Sequence, residues 1–215
     1  MKTLGVLGGM GPAATLDFLA KLQAATPAAR DQDHLRVLVD LNPQVPDRNA
    51  GDAAPGPVLA AMARGLVGQG AEVLAIACNT AHAYADDVRS AGVPLIDMIA
   101  VACEAAAATG ARRVGVIGTP LALTLYTGRL ATMGLEAVVP DADGQAVFMA
   151  LLYRIKAGDL GAAVAEGMRD VADSLGADAV IAGCTEVPLV VETLDVPLID
   201  AGLELARRCV EVCRD

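Results

Sequence analysis

Short apolar runs alternate along the chain with longer, alanine-rich segments of helical length. The runs are rich in Leu, Val and Ile, and they are continuously apolar rather than alternating, which is typical of parallel strands covered on both faces. We predict eight strands, at residues 2–8, 35–41, 72–77, 94–97, 113–118, 135–139, 178–182 and 197–200. Helices are expected in the gaps, so the pattern predicts an α/β fold with right-handed crossovers.

The chain also repeats itself at an interval of about a hundred residues. Three pairs of segments are similar and occur in the same order: LGVLGGMGP (4–12) with VGVIGTP (114–120), AEVLAIACNT (71–80) with ADAVIAGCTE (177–186), and GVPLIDM (92–98) with DVPLIDA (195–201). A repeated order of this kind indicates two similar structural units.

We therefore predict two pseudo-symmetric halves, each a four-stranded parallel sheet flanked by helices. The first covers residues 1–99 and is joined by a C-terminal helix at 201–215, and the second covers 100–200. Ligands of open α/β sheets bind at the carboxyl ends of the strands, so an active-site cleft is expected between the halves.

Composition narrows the range of partners. The 215 residues can bury a sizeable core, and with 54% hydrophobic but only 2% aromatic residues that core must be aliphatic. A net charge of −10 argues against nucleic acid or an anionic membrane surface as a partner. No apolar run approaches the roughly 20 residues that span a bilayer, and the N-terminus is expected to be a first strand rather than a signal peptide.

The five cysteines form an odd set without the spacing of a secreted disulfide framework, which favours a reducing, cytoplasmic compartment. Cys103 and Cys213 lie in helical patterns and are expected to be small buried hydrophobes. Cys209 and Cys213 are close enough to share a helix face, but no matching second pair of ligands is present, so no metal site is expected.

Cys78 and Cys184 are different, because each follows the third predicted strand of its half. We expect each to begin a helix, whose N-terminus would lower the thiol pKa below its usual value of about 8.5. Two thiols facing one cleft suit a two-base reaction, in which one takes a proton from a carbon and the other returns one to the opposite face. The alternative is two unrelated core cysteines at equivalent positions.

Six motifs carry a resemblance to a known family: GGMGPAAT (8–15), NPQVPDR (42–48), ACNTAH (77–82), GTPLALT (118–124), YRIKAG (153–158) and GCTEVPL (183–189). With these motifs the chain resembles the aspartate/glutamate racemase family, and within it the aspartate racemases, along its whole length. The resemblance implies a cofactor-independent racemase that interconverts L- and D-aspartate, or glutamate. It also implies that Cys78 and Cys184 are the acid/base pair, and that the protein is a homodimer. Asn49 departs from the Thr or Ser that the family often has after the arginine.

Removing an α-proton builds negative charge, so the site must supply hydrogen-bond donors where that charge develops. The candidates for binding the substrate's α-carboxylate follow each cysteine: Asn79 and Thr80 in the first half, and the backbone amides at 79–80 and at Thr185 and Glu186. Thr119, after the fifth strand, is a weaker candidate.

A dicarboxylic substrate also needs a cation for its second carboxylate. Arg48 offers a bidentate fork, and Lys156 adds a second positive charge. The resemblance implies that Gln44 and Met10 line the same pocket. His82, close after Cys78, either tunes that thiol or packs in the core.

Other functions stay open. Gly9-Met10-Gly11-Pro12-Ala13-Ala14 fits the G-x-G-x-x-A fingerprint of dinucleotide-binding oxidoreductases, but the acidic Asp40 lies further on than the usual spacing of about 20 residues. A two-lobed, non-catalytic binding protein would need no paired thiols. Hydantoin racemase, maleate isomerase and decarboxylase chemistry are alternatives on the same scaffold.

Overall fold

The computed structural model describes residues 1–50 and 54–215. All eight predicted strands are present. They are β1 Leu4–Gly8, β2 Val37–Leu41, β3 Val73–Ile76, β4 Leu95–Ile96, β5 Arg113–Gly118, β6 Glu136–Val138, β7 Ala179–Gly183 and β8 Leu198–Asp200. The α-helices between and after them are α1 Pro12–Ala25, α2 Pro55–Gly68, α3 Ala85–Arg89, α4 Met98–Ala108, α5 Pro120–Thr132, α6 Ala142–Lys156, α7 Ala162–Asp173 and α8 Ala201–Arg214. No helix among residues 1–50 and 54–215 is both long and apolar enough to cross a membrane.

The chain folds into two compact units, one made of residues 1–98 and 202–215, the other of residues 99–201. The first contains a parallel sheet in the order β2-β1-β3-β4, and the second a parallel sheet in the equivalent order β6-β5-β7-β8. The predicted fold class, two four-stranded parallel sheets flanked by helices, is confirmed.

Each sheet has a fully buried central pair of strands. In the first unit, all residues of β1 and β3 are buried, and in the second all of β7 and nearly all of β5 are. The core is aliphatic as the composition requires, since Phe18, Tyr126 and Phe148 are its only fully buried aromatic side chains among the described residues. Parallel register aligns the carboxyl ends of neighbouring strands, so the segments that follow β1, β2 and β3 leave the sheet at one edge.

The expected helix start at each cysteine is wrong. A 3₁₀ turn at Thr80–Tyr84 follows Cys78, and only a three-residue 3₁₀ turn at Val187–Leu189 follows Cys184. In both places the cysteine region makes i→i+3 bonds, for example from the Val187 amide to the Cys184 carbonyl at 3.1 Å. After Cys78 the reason is local. The His82 ring makes a hydrogen bond to the Cys78 carbonyl at 2.9 Å, and in a regular α-helix that carbonyl would accept from a backbone amide one turn further on.

Candidate functional site

Cys78 lies directly after β3 in the first unit. Its side chain is 4% exposed and packs in one apolar cluster with Met10, Val45 and Ala81. The two following residues, Asn79 and Thr80, are polar and equally buried. The structure therefore brings the predicted thiol and its two predicted companions together at one strand end.

His82 links Cys78 to the start of α4. Its Nδ1 lies 2.9 Å from the Cys78 carbonyl oxygen, and the Met98 backbone amide donates to its Nε2 at 3.0 Å. Because Nε2 accepts a hydrogen bond, the proton of the neutral ring is on Nδ1, which donates to the carbonyl. Burial lowers the pKa of His82, which favours this neutral state. Both ring nitrogens therefore make hydrogen bonds to the backbone, one at Cys78 and the other at the start of α4.

Arg48 lies in the loop after β2, and backbone carbonyls hold its guanidinium. Nη1 donates to Val45 at 3.3 Å and to Pro46 at 3.2 Å, while Nη2 donates to Met10 at 3.4 Å. The Nε atom is buried without a hydrogen-bond partner among the described residues. The Tyr84 hydroxyl donates to the Arg48 carbonyl at 3.3 Å, which ties this loop to the turn after Cys78.

The loop after β1 approaches the loop after β2 very closely. Gly9 has a positive φ of 93°, and a Cβ atom there would lie 2.4 Å from the backbone of Asn42, so only glycine fits. Met10, the next residue, is 3% exposed. Gln44 is exposed, and its backbone N–H donates to Oδ1 of Asn42 at 2.9 Å. Met10 and Arg48 thus make direct contact, whereas Gln44 lies at the surface of the loop.

Cys184 lies directly after β7 in the second unit and is 6% exposed. Its thiol donates to Oε2 of Glu186 at 3.0 Å, and the Thr185 hydroxyl donates to the same oxygen at 3.2 Å. Lys156, at the end of α6, forms an ion pair with Oε1 of Glu186. Four of the predicted site residues therefore form one hydrogen-bonded cluster.

This cluster overturns the expected lowering of the thiol pKa at Cys184. Burial among apolar side chains raises the pKa of Cys184 well above its usual value, and the negative charge of Glu186 raises it further. The short 3₁₀ turn offers no helix dipole to oppose these effects. Lys156, expected to contribute its charge to a substrate carboxylate, is paired with Glu186 in this structure.

Two further residues lie at the carboxyl end of β5. Thr119 caps α5, since its hydroxyl accepts from the Ala122 amide at 3.4 Å. Gln145 on α6 was not predicted. Its amide nitrogen donates to the Gly118 carbonyl at 3.0 Å, and its Oε1 is buried without a partner in the described part of the chain. A single glutamine in a helix carries no sequence signal, because only the packing of α6 brings it to this strand end.

No cluster of three or more His, Cys, Asp and Glu residues that could hold a metal ion occurs within residues 1–50 and 54–215. All five cysteines are buried thiols. What the arrangement offers chemically is a buried thiol at an equivalent strand end of each unit. The backbone carbonyl of Cys78 binds a neutral histidine, and the Cys184 thiol lies beside a carboxylate that is paired with a lysine.

Comparison with known proteins identifies similar proteins and their family. A family model described as Asp/Glu/Hydantoin racemase matches residues 7–209. The crystallised aspartate racemase of Picrophilus torridus is 28% identical, with a TM-score of 0.89 over all of this chain and 95% of that one. An aspartate racemase homologue from Pyrococcus horikoshii is 26% identical, with a TM-score of 0.81 over the full length of both.

The glutamate racemase of Pseudomonas paraeruginosa is 37% identical over 164 residues, which cover 68% of this chain and 60% of that enzyme. The aligned region thus spans less than two thirds of this relative. Since the family model covers nearly the whole chain, the protein belongs to the Asp/Glu/Hydantoin racemase family.

Proposed function

We propose that this protein is a cofactor-independent racemase that interconverts L- and D-aspartate, with Cys78 and Cys184 as its two bases. The observation that carries the proposal is the repeat: each unit has a buried cysteine, followed by polar residues, at the carboxyl end of its third strand. Two cysteines needed only for packing would give no reason for polar companions at both positions. A racemase needs one base for each face of the same carbon.

The chemistry is a proton transfer in each direction. A thiolate at one cysteine takes the α-proton, so the Cα–H bond breaks, an S–H bond forms, and the electron pair moves toward the α-carboxylate. The other thiol then gives its proton to the opposite face of Cα, which inverts the configuration. Buried donors near the thiols, such as Asn79, Thr80 and Thr185, are suited to the developing charge on the carboxylate.

Arg48 is the better candidate for the substrate's second carboxylate. Its guanidinium has a buried Nε without a partner among the described residues, whereas Lys156 is engaged with Glu186. A guanidinium held by carbonyls is preorganised, so binding a carboxylate costs little side-chain entropy. This supports a dicarboxylic amino acid over a neutral one.

Aspartate is favoured over glutamate by the full-length similarity to the Picrophilus torridus aspartate racemase. Glutamate is the second candidate, because the Pseudomonas paraeruginosa relative, with the higher identity, is a glutamate racemase.

The test is to incubate the purified protein with each enantiomer of aspartate and glutamate, with EDTA and without pyridoxal phosphate, and to follow the products by chiral chromatography. In D2O, deuterium should enter at Cα as the enantiomer forms. Activity that depends on added pyridoxal phosphate or metal would contradict the two-thiol reaction. Turnover of glutamate alone would replace aspartate with the second candidate.

A further inference from the structure

The carboxylate of Glu186 is buried, and it accepts hydrogen bonds on both of its oxygens. Its side chain is 5% exposed. Oε2 accepts from the Cys184 thiol at 3.0 Å and from the Thr185 hydroxyl at 3.2 Å, while Oε1 faces the Lys156 ammonium. In its contact with Glu186 the Cys184 thiol is the donor, so the hydrogen between the two groups is the thiol's own.

The contact has a direct effect on the thiol. A hydrogen bond to a carboxylate stabilises the S–H form, and a thiolate at the same place would stand 3.0 Å from a like charge in an apolar environment. Lys156 acts in the opposite direction, because its positive charge neutralises part of the carboxylate's charge. The protonation of Cys184 is thus set by a carboxylate and a lysine that face it from the turn after β7 and from the end of α6.

We propose that Glu186 is a positioning residue that holds the proton on Cys184, and that Lys156 sets how firmly it does so. The catalytic role described next depends on the proposed racemase function. In the resting protein Cys184 is then the proton donor, which leaves removal of the α-proton to Cys78, the other base of the proposed pair. When Cys184 gives its proton to Cα, its S–H bond breaks and a Cα–H bond forms. Before the next cycle Cys184 takes a proton from water and Cys78 releases one.

The experiment measures the thiols directly, without a turnover assay. The protein is treated with iodoacetamide at a series of pH values, and alkylation of each cysteine is followed by mass spectrometry of its peptide. In Glu186→Gln the profile of Cys184 should move to lower pH, with a rate at pH 8 that rises about ten- to a hundredfold.

The matched control is Glu192→Gln, which removes the same charge from an exposed position six residues further along the chain and should leave the Cys184 profile unchanged. Cys103, which is fully buried in the same unit as Cys184, reports on unfolding, since it should stay unreactive in any folded variant.

If Cys103 becomes reactive in Glu186→Gln, that variant is unfolded and a second variant provides the test. Lys156→Met removes the opposing charge at the other end of the same ion pair, so it should move the Cys184 profile to higher pH. An unmoved profile in folded Glu186→Gln, or a shift in the same direction in both variants, would overturn the inference. If the profiles move as expected while no amino acid is racemised, the proposed function fails and the control of the thiol proton stands.

Discussion

Replacing His82 with phenylalanine tests whether this ring positions Cys78. The phenyl ring fills similar space but can bind neither the Cys78 carbonyl nor the Met98 amide, which His82 contacts at 2.9 and 3.0 Å. The ring is 6% exposed, so water cannot replace both contacts. Loss of a buried hydrogen-bonding partner costs about 1–3 kcal/mol at a backbone group, so with two groups affected the free energy of unfolding should fall by about 2–6 kcal/mol.

The pH dependence gives a second, independent readout of the same residue. Burial lowers the pKa of His82 relative to the unfolded chain, where the histidine titrates near 6.5. Above pH 6.5 both states hold a neutral ring. As the pH falls below 6.5 the unfolded chain takes up a proton that the folded chain does not, so the free energy of unfolding falls, by up to about 1.4 kcal/mol per pH unit.

The assay is urea unfolding followed by circular dichroism between pH 5 and 8. It is best done with His34→Gln in both proteins, which leaves His82 as the only histidine of the reference. The reference should lose stability below pH 6.5 more steeply than the His82→Phe variant, because carboxylates titrate in both. Equal slopes, together with a loss of less than about 1 kcal/mol at pH 8, would refute the bridging role of the ring.

Three further predictions concern the proposed reaction and the fold. Arg48→Lys should lower kcat/KM for aspartate by about ten- to a hundredfold, because about 1.5–3 kcal/mol of charge-assisted hydrogen bonding is lost. The control Arg112→Lys, at an exposed site, should leave kcat/KM unchanged. Equal kcat/KM values in the two variants would mean that Arg48 only stabilises its loop. Cys78→Ser and Cys184→Ser should each abolish racemisation but retain α-proton exchange in D2O with opposite enantiomers, and native-like racemisation in either would make that cysteine structural. Thr119→Ala should lower the free energy of unfolding by about 1 kcal/mol through loss of the α5 cap, and Thr119→Ser should restore it in the same urea titration.

The strand pattern and the internal repeat were sufficient to predict both sheets. Continuous apolar runs identified β1 to β8, since strands buried on both faces admit few polar side chains. The similar order of motifs predicted that Cys78 and Cys184 follow equivalent strands, which they do. The positions of the strand ends were predictable because short connections in a parallel sheet restrict where each strand can end.

The local chemistry at those strand ends was not predictable in the same way. A helix start was expected at Cys78, but the His82 side chain binds the Cys78 carbonyl and the turn that follows has 3₁₀ geometry. The expected low pKa of Cys184 counted a helix dipole and left out both burial and the carboxylate two residues further along the chain. Lys156 and Gln145 contact Glu186 and the Gly118 carbonyl only because of how α6 packs, and no local sequence pattern predicts that packing.

The two units thus share a scaffold but surround their cysteines differently. Cys78 has a neutral histidine on its carbonyl, whereas Cys184 has a carboxylate on its sulfur. For the proposed reaction this difference has a defined consequence. The two enantiomers are equal in free energy and interconvert by one reversible path, so unequal surroundings cannot favour one product at equilibrium. They determine instead which thiol carries the proton before substrate binds. In the proposed reaction a repeated fold therefore supplies one base for each face of the carbon, and the carboxylate beside Cys184 favours the protonated form of that one thiol.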